Sequence, residues 1–214
     1  MSDVWSARAP LYRAATEHAS GDDLDLLVAW CDPGAGITVL DVATGGGHTA
    51  TALRDAGCTV VGADSAPGMQ PDVICPAEDL PFADSSFDAV VSRIAPHHFE
   101  DVQAAVREMA RVASRVVVIE DTLYASEDVE EAERLRDPTH VRSYTEDEWR
   151  ASFDAAGLAV DDVAFVEKRR SVEGWLARTG CIGEEADRVR TLLGDHIDGQ
   201  DYVDMKILLR GSVR

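Results

Sequence analysis

The 214-residue sequence has few basic residues and no long apolar run. Charged residues interrupt the longest strand-like stretches, so no segment reaches the length of a membrane span. The N-terminus has no basic region followed by an apolar stretch, which argues against an export signal and predicts a cytoplasmic protein. Acidic residues outnumber basic ones 40 to 20, for a formal net charge of −20. Such a surface repels phosphate backbones, so a nucleic-acid partner is not expected.

Cysteines are few and widely spaced. No two of them are close enough in sequence to supply a pair of metal ligands, and in the cytoplasm we expect buried thiols. His97, His98 and His140 do not follow a known metal-ligand spacing either. We therefore predict no metal site. The four cysteines are Cys31, Cys58, Cys75 and Cys181.

Short β-branched segments alternate with amphipathic segments between residues 37 and 121. Continuous apolar runs are typical of strands buried on both faces, and their alternation with helices predicts a doubly wound α/β fold with a mostly parallel sheet. Asp101–Ala113 carries apolar residues at helical spacing on one face. The predicted strands are Ile37–Val42, Thr59–Ala63, Ala89–Ser92 and Val116–Ile119.

Further helices and strands flank this alternating core. Two helices, Trp5–His18 and Asp22–Trp30, are predicted ahead of the first strand. Helices also follow residue 121, and two late strands, Ala159–Val166 and Met205–Leu209, are expected to complete the sheet.

The densest signal is the glycine-rich segment Val39–Ala50, where a predicted strand runs into a turn and a helix opens directly after it. Glycines permit positive φ and close approach of a ligand, and the N–H groups and dipole of a helix start face that ligand. Gly45-x-Gly47-x-x-Ala50 also fits the dinucleotide fingerprint, with Asp64 at the spacing of a ribose-binding acid. This segment alone therefore leaves a nicotinamide-dependent reductase open.

Asp41-x-x-x-Gly45-x-Gly47, followed by further motifs in order over residues 36–157, resembles motif I of the class I S-adenosylmethionine-dependent methyltransferases. Later motifs are similar to the ubiquinone/menaquinone C-methyltransferase-like branch, called methyltransferase type 11. The other matching segments are Val60–Ser65, Ala77–Phe82 and Phe87–Val91 for the family, and Pro96–Phe99, Arg107–Val112 and Arg136–Arg142 for the branch.

The resemblance implies a Rossmann-like, mostly parallel seven-stranded sheet with an antiparallel C-terminal strand, and S-adenosyl-L-methionine as cofactor. It implies that Asp64 accepts hydrogen bonds from both ribose hydroxyls. Asp41 would hold the glycine turn and reach the methionine amino group. The remaining expected cofactor contacts are Gly45 and Gly47 at the methionine portion, Ser65 next to the ribose acid, the backbone N–H of Ala77 at adenine, and Glu78 at its exocyclic amine.

The sequence departs from the family pattern in two places. Ala43 occupies the position of the first loop glycine, and we still assign it to the cofactor site. Between Asp64 and Ala77 the family has a full helix, but prolines and a glycine leave room here only for a turn and a brief strand. We therefore expect a more open adenine pocket.

Four further residues each have two interpretations. Arg93 pairs with the methionine carboxylate or forms a structural salt bridge. Tyr12 closes over the cofactor as an aromatic lid or packs in the core. His97 and His98 are candidates for a general base because histidine titrates near neutral pH, and packing within their loop is the alternative.

We therefore predict methyl transfer from S-adenosylmethionine to a small-molecule acceptor. The alternatives are a catalytically silent S-adenosylmethionine-binding module and an NAD(P)-dependent reductase. The acceptor and the oligomeric state stay open. We expect one domain over residues 1–214, with N-terminal helices at 1–35, a cofactor-binding core at 36–121, and a part at 122–214 that completes the sheet and the acceptor pocket.

Overall fold

The β-branched runs form the centre of one sheet in the computed structural model, which describes residues 4–15 and 18–214. Five strands are parallel, and their register pairs Leu40 with Val61 on one side and Val90 on the other. Helices cover both faces, so these strands are apolar throughout rather than alternating. The parallel strands are β1 (Thr38–Val42), β2 (Thr59–Asp64), β3 (Val73–Ile74), β4 (Phe87–Arg93) and β5 (Ala113–Thr122).

The C-terminal strands β6 (Leu158–Ser171), β7 (Ile197–Asp198) and β8 (Asp201–Val213) complete the sheet. β8 lies between β5 and β6 and is antiparallel to both, which gives the order β3-β2-β1-β4-β5-β8-β6. This path confirms the predicted doubly wound, mostly parallel seven-stranded sheet with an antiparallel C-terminal strand. The two-residue β7 pairs with β8 beside that path. The late strands run well past their predicted limits, Ala159–Val166 and Met205–Leu209.

The α-helices of the described residues are α1 (Val4–Ala14), α2 (Asp22–Trp30), α3 (His48–Asp55), α4 (Val102–Val112), α5 (Glu127–Arg136), α6 (Glu146–Ala155), α7 (Val172–Thr179) and α8 (Gly183–Leu193). α2 and α3 pack on one face of the sheet, where Leu27 and Leu53 are buried. α4 and α6 pack on the other, where Met109 and Phe153 are buried. The predicted apolar stripe of α4 is confirmed by the burial of its side chains.

The antiparallel ribbon of β6 and β8 extends past the carboxyl end of β5. Lys206 of β8 pairs with Thr122, the last residue of β5, and with Val166 of β6. Beyond that level the ribbon continues for five more residues of β6, about 16 Å at 3.3 Å per residue. α5, α7 and α8 pack against this extension around Trp175 and Tyr202. The extension therefore stands as a wall beside the carboxyl edge of the sheet.

Of two local predictions, the turn after Asp64 is confirmed and the length of the first helix is wrong. The segment after Asp64 forms a 3-10 turn at Pro67–Met69 and the brief strand β3, as predicted from its prolines. The predicted helix Trp5–His18 is too long, because α1 ends at Ala14. Thr16 and Glu17, which that prediction included, lie outside the described residues.

Strands from residue 38 to residue 213 share the one sheet. The division into a single domain with three parts stays a prediction. No helix among the described residues combines the length and the apolar character needed to cross a bilayer.

Truncating the central strand should destabilise the whole molecule. Leu40 is fully buried in β1, so Leu40→Ala leaves a cavity and should lower the free energy of unfolding by about 2–5 kcal/mol. Leu11→Ala is the matched control, because that leucine is 55 % exposed, and should change it by less than about 0.5 kcal/mol. Urea unfolding followed by circular dichroism measures both. Equal effects of the two substitutions would contradict this assignment of the core.

Candidate functional site

A cavity of about 190 Å³ opens at the carboxyl ends of the central strands. This is the edge at which open α/β sheets bind ligands. The glycine-rich loop after β1 contributes to one part of its lining, and α5, α7 and the β6–β8 ribbon contribute to another. The residues assigned to the site from sequence that line it are Tyr12, Ala43, Gly45, Asp64, Ser65, Arg93, His97 and His98.

The loop after β1 turns through residues with positive φ, namely Ala43 at 56°, Gly45 at 53° and Gly47 at 79°. Glycine adopts this region freely, whereas an L-residue such as alanine pays about 1–2 kcal/mol there. Ala43 therefore carries strain that a glycine would not. Gly46 is required for another reason, because a Cβ at this position would lie 2.6 Å from the carbonyl oxygen of Tyr12. The loop thus lets α1 approach its backbone closely.

Asp41 joins the end of β1 to the loop and to α3. Its buried carboxylate accepts a hydrogen bond from the Thr44 hydroxyl at 2.6 Å and another from the backbone N–H of Ala50. The N-cap of α3 is Gly47, which has no side chain, so Asp41 supplies an acceptor that the helix start needs. Burial raises the pKa of Asp41 to about 6. Its predicted contact with the methionine amino group stays a prediction.

Asp64, at the end of β2, lies on the cavity wall next to the glycine loop. One carboxylate oxygen accepts the backbone N–H of Gly45 at 2.9 Å, and the other accepts that of Ala66 at 2.9 Å. These two donors fix the carboxylate from the loops on either side of it. Ser65 follows it on the lining.

Ala77 and Glu78, the two residues expected at adenine, are described by the structure but are not part of this cavity lining. Ala77 is buried, and the Glu78 carboxylate accepts the backbone N–H groups of Glu100 at 3.1 Å and Asp101 at 3.3 Å. Met69, from the 3-10 turn after β2, is buried and lines the cavity on this side. Contacts of Ala77 and Glu78 with adenine therefore stay predictions.

Arg93 ties the end of β4 to the N-terminal helices. Its buried guanidinium donates to Asp23 of α2 at 2.5 Å, to Glu120 of β5 at 2.7 Å and to the carbonyl oxygen of His18 at 2.9 Å. A hydrogen bond from Glu120 and the charge of Arg93 hold the pKa of Asp23 well below its usual range, while burial raises the pKa of Glu120 to about 8. These contacts match the structural salt bridge, one of the two roles predicted for Arg93. The residue also lines the cavity. Pairing of Arg93 with the methionine carboxylate stays a prediction.

α1 lies against the glycine loop and the turn after β2. The carbonyl oxygen of Tyr12 contacts Nε2 of His48 at 3.0 Å, and Arg13 donates to the carbonyl oxygen of Gly68 at 2.9 Å. The aromatic ring of Tyr12 packs edge-on to Trp5 at 5.9 Å, and both residues line the cavity. Burial raises the pKa of the Tyr12 phenol. This placement is compatible with the predicted aromatic lid.

His97 forms a short hydrogen bond with Asp121 of β5. Its Nδ1 lies 2.5 Å from Oδ1 of that carboxylate, and both side chains are buried. Burial raises the pKa of Asp121 to about 7 and lowers that of His97 to about 3. Asp121 was not among the site residues predicted from sequence, although it follows a predicted strand and the histidine motif follows the neighbouring strand. Ends of adjacent parallel strands share an edge, and that signal was available.

His98 makes a different set of contacts. Its Nδ1 lies 2.9 Å from the carbonyl oxygen of Thr139, and its ring packs 4.6 Å from that of Trp5 and 4.1 Å from that of His97. Burial lowers the pKa of His98 well below its usual value. Both histidines line the cavity, and only His97 has a carboxylate partner in hydrogen-bond contact among the described residues.

A group of basic side chains lines the cavity away from the glycine loop. They come from four elements: Arg136 from α5, Arg170 from β6, Arg178 from α7 and Lys206 from β8. No local sequence pattern indicates this group, because its members are up to 70 residues apart and only the ribbon and its helices bring them together. We define these four residues as the basic wall.

Other histidine-containing segments contribute to packing rather than to the lining. His140 contacts Glu130 at 3.1 Å, and Arg142 donates to Glu148 at 2.8 Å while covering the ring of Tyr144. Among the described residues, no group of three or more histidine, cysteine or acidic side chains is arranged to hold a metal ion.

Comparison with known proteins gives consistent matches. A family model described as a methyltransferase domain matches residues 40–119. An uncharacterized methyltransferase of Bacillus subtilis, YcgJ, is 34 % identical over 218 residues, which cover 91 % of this chain and 85 % of the relative. The crystal structure of that protein superposes with a TM-score of 0.80 at 29 % identity, covering 89 % of this chain and 97 % of the other.

Matches to named enzymes are shorter. The demethylmenaquinone methyltransferase of Mycolicibacterium paratuberculosis is 41 % identical over 98 residues, 41 % of this chain and 43 % of that enzyme. The segment shared with the Bacillus relative extends over nearly the whole chain and includes the glycine loop, Asp64 and the His97 turn. The chain therefore belongs to the class I S-adenosylmethionine-dependent methyltransferases, in the methyltransferase type 11 branch.

Proposed function

We propose that the chain binds S-adenosylmethionine in this cavity and transfers its methyl group to a small-molecule acceptor. The observation that carries the proposal is the contact between the Gly45 N–H and the Asp64 carboxylate on the cavity wall. This contact joins the glycine loop after β1 to the acid at the end of β2. A ligand that carries a ribose and a charged tail requires both features.

The residues present fit this cofactor. A Cβ at Gly47 would meet no atom within 4 Å, and a Cβ at Gly45 would meet only a carbonyl oxygen at 3.9 Å, so the loop leaves open space beside its backbone. The Asp64 carboxylate lies on the cavity wall, where the backbone N–H groups of Gly45 and Ala66 orient it. Asp64 would hold the ribose hydroxyls, and the loop from Ala43 to Gly47 would hold the methionine portion.

The chain's own part in the reaction is orientation and proton transfer. When bound, S-adenosylmethionine supplies a methyl group on a sulfonium, already activated for transfer with the electron pair of the carbon–sulfur bond left on sulfur. Holding an acceptor in line at short range then provides much of the rate enhancement. The cavity lining between the loop and the basic wall, including Ile94 and Ala95, would position that acceptor.

His97 would take the proton of an acceptor that must lose one. With Nδ1 on Asp121, the other ring nitrogen, Nε2, makes no hydrogen bond to a described residue. Burial lowers the pKa of His97 and raises that of Asp121. Between about pH 3 and 7 the carboxyl of Asp121 is therefore protonated and the imidazole of His97 is neutral. In that range Nε2 carries a hydrogen. Above about pH 7 the pair loses a proton, Asp121 accepts from Nδ1–H, and Nε2 becomes a base.

A catalytically silent binding module is the second candidate. The short segment after Asp64 and the position of Glu78 outside the cavity lining favour a weak or open adenine site. Membership of the methyltransferase family removes the support for the nicotinamide-dependent reductase. We keep the cytoplasm as the proposed location, with the four free, buried cysteines in its favour.

Asp64→Asn should weaken binding of S-adenosylhomocysteine by about 10–100-fold, because hydrogen bonds to a charged acceptor contribute about 1.5–3 kcal/mol. Isothermal titration calorimetry measures the dissociation constants. Asp55→Asn, an exposed acid at the end of α3, is the matched control and should bind within twofold of the wild type. A wild type that binds no S-adenosylhomocysteine, or an Asp64→Asn variant indistinguishable from it, would refute the proposed site.

The His97 ring nitrogen Nε2 should change protonation state as the pH rises through about 7. The expected result is an ¹⁵N chemical shift of a protonated nitrogen at pH 5.5 and of an unprotonated one at pH 8.5. In Asp121→Asn the amide oxygen can accept from Nδ1–H, so Nε2 should be unprotonated at both pH values. His97→Asn assigns the resonance. A shift that is the same at both pH values in the wild type would exclude this switch.

A further inference from the structure

His98 lines the cavity but has no part in the mechanism proposed above. Its side chain is partly exposed, and the hydrogen bonds of its ring all involve Nδ1. Nε2 of His98 has no hydrogen-bond partner among the described residues. Unlike Nδ1 of His140, it is not one of the fully buried polar atoms that lack a partner. A ligand in the cavity can therefore reach Nε2 of His98.

The partners of Nδ1 fix the tautomer of the His98 ring. The carbonyl oxygen of Thr139 lies 2.9 Å away and can only accept a hydrogen bond. The Thr139 hydroxyl lies 3.3 Å away and already donates its one hydrogen to Asp137 at 2.7 Å, so it can also only accept. Nδ1 must therefore carry a hydrogen. In a neutral imidazole, Nε2 then carries a lone pair and no hydrogen.

Asp137 holds Thr139 in the position that this tautomer requires. Its buried carboxylate accepts the backbone N–H of Thr139 at 3.1 Å and the hydroxyl at 2.7 Å. Arg8 of α1 donates to both carboxylate oxygens at 3.0 Å. Hydrogen bonds from Thr139 and Arg8 lower the pKa of Asp137 to about 2, so the carboxylate remains an acceptor at neutral pH. The turn at Asp137–Thr139 is therefore a fixed acceptor for Nδ1 of His98.

The His98 ring is neutral at neutral pH. Burial lowers its pKa well below the usual value, and His97 acts in the same direction, against the opposing charges of Asp137 and Asp121. The rings of Trp5 and His97 pack against that of His98 at 4.6 and 4.1 Å. Nε2 of His98 is therefore a hydrogen-bond acceptor in the physiological range.

This acceptor atom lies on the cavity side of the ring. The two nitrogens of an imidazole are separated by one carbon and point to nearly opposite sides of the ring. Nδ1 of His98 points at Thr139, which does not line the cavity, whereas His98 does. Nε2 therefore points away from the turn and towards the cavity.

The neighbouring His97 narrows the chemistry of the ligand. Its Nε2 carries a hydrogen below about pH 7 and makes no hydrogen bond to a described residue. The two rings lie 4.1 Å apart, close enough for one ligand group to contact both. A hydroxyl group suits this pair, because its oxygen accepts and its hydrogen donates. A carboxylate has no hydrogen to give to His98, and an ammonium group has no lone pair for His97.

We propose that the methyl acceptor is a neutral small molecule with a hydroxyl group, and that this hydroxyl donates a hydrogen bond to Nε2 of His98. His98 is then an acceptor-binding residue that determines specificity. A ligand with a methyl group in place of the hydroxyl hydrogen loses this bond and leaves Nε2 without a partner. This substrate class rests on the proposed methyltransferase function.

The first experiment determines the tautomer of His98 in the wild-type chain. We expect the ¹⁵N chemical shifts at pH 6 to be those of a protonated Nδ1 and an unprotonated Nε2, and His98→Asn assigns the resonances. A hydrogen on Nε2 would overturn the inference. This measurement requires neither cofactor nor acceptor.

The second experiment compares probes that differ in one group. S-adenosylhomocysteine binding is measured first, and the saturated wild type is then titrated at pH 6 with phenol, anisole, benzoate and benzylamine, followed by calorimetry. We expect phenol to bind at least tenfold more tightly than each of the other three. Tighter binding of benzoate or benzylamine would indicate a charged acceptor and overturn the inference.

Two substitutions separate ligand binding from packing. In His98→Asn the side-chain amide can donate to the Thr139 carbonyl in place of Nδ1, but no atom replaces Nε2. In His98→Gln the longer side chain brings an amide oxygen to the region of Nε2 and loses the Thr139 contact. We expect the preference for phenol over anisole to disappear in His98→Asn and to persist in part in His98→Gln.

His196→Asn is the matched control, because this histidine lies outside the cavity lining, and it should bind every probe like the wild type. Thermal melts report whether each variant is folded, and the wild-type measurements do not depend on the variants. If the preference for phenol persists in His98→Asn and disappears in His98→Gln, His98 only packs the loop and the inference is wrong.

Failure of the acceptor class and failure of the proposed function give different results. If S-adenosylhomocysteine binds but phenol binds no more tightly than anisole, the acceptor class is wrong and the proposed function stands. If the wild type binds no S-adenosylhomocysteine, the inference fails together with the proposed function.

Discussion

Burial of five parallel strands on both faces is the constraint on which the site depends. Helices cover both faces, so most polar side chains of these strands lie where the strands end. Parallel strands end at one edge, and Asp64, Arg93 and Asp121 lie at or next to the ends of β2, β4 and β5. The glycine loop, the salt bridge and the histidine pair therefore meet around one cavity. The longer antiparallel ribbon of β6 and β8 then forms a wall beside that edge.

Electrostatics divides this cavity into parts with different roles. Arg93 donates to Asp23 of α2 and to Glu120 of β5, and so joins α2 to the sheet. Burial raises the pKa of Asp121, the carboxylate partner of His97, to about 7. The basic wall lies on the far side of the cavity from the glycine loop.

Local sequence patterns predicted the central strands, the glycine turn and Asp64 because each depends on residues close together in the chain. The brief turn after Asp64 followed from its prolines for the same reason. The basic wall was not predictable in this way, since Arg136 and Lys206 meet only because β8 enters the sheet between β5 and β6. The end of α1 at Ala14 was also missed, because no proline or glycine marks it in the sequence. Asp121 was recognisable from its position after a strand.

A crystal structure of the chain with S-adenosylhomocysteine tests the central claim most directly. We expect both ribose hydroxyls within hydrogen-bond distance of the Asp64 carboxylate and the sulfur between the glycine loop and His97. Ligand density on another surface, or a ribose that makes no contact with Asp64, would contradict the assignment of this cavity as the methyl-donor site.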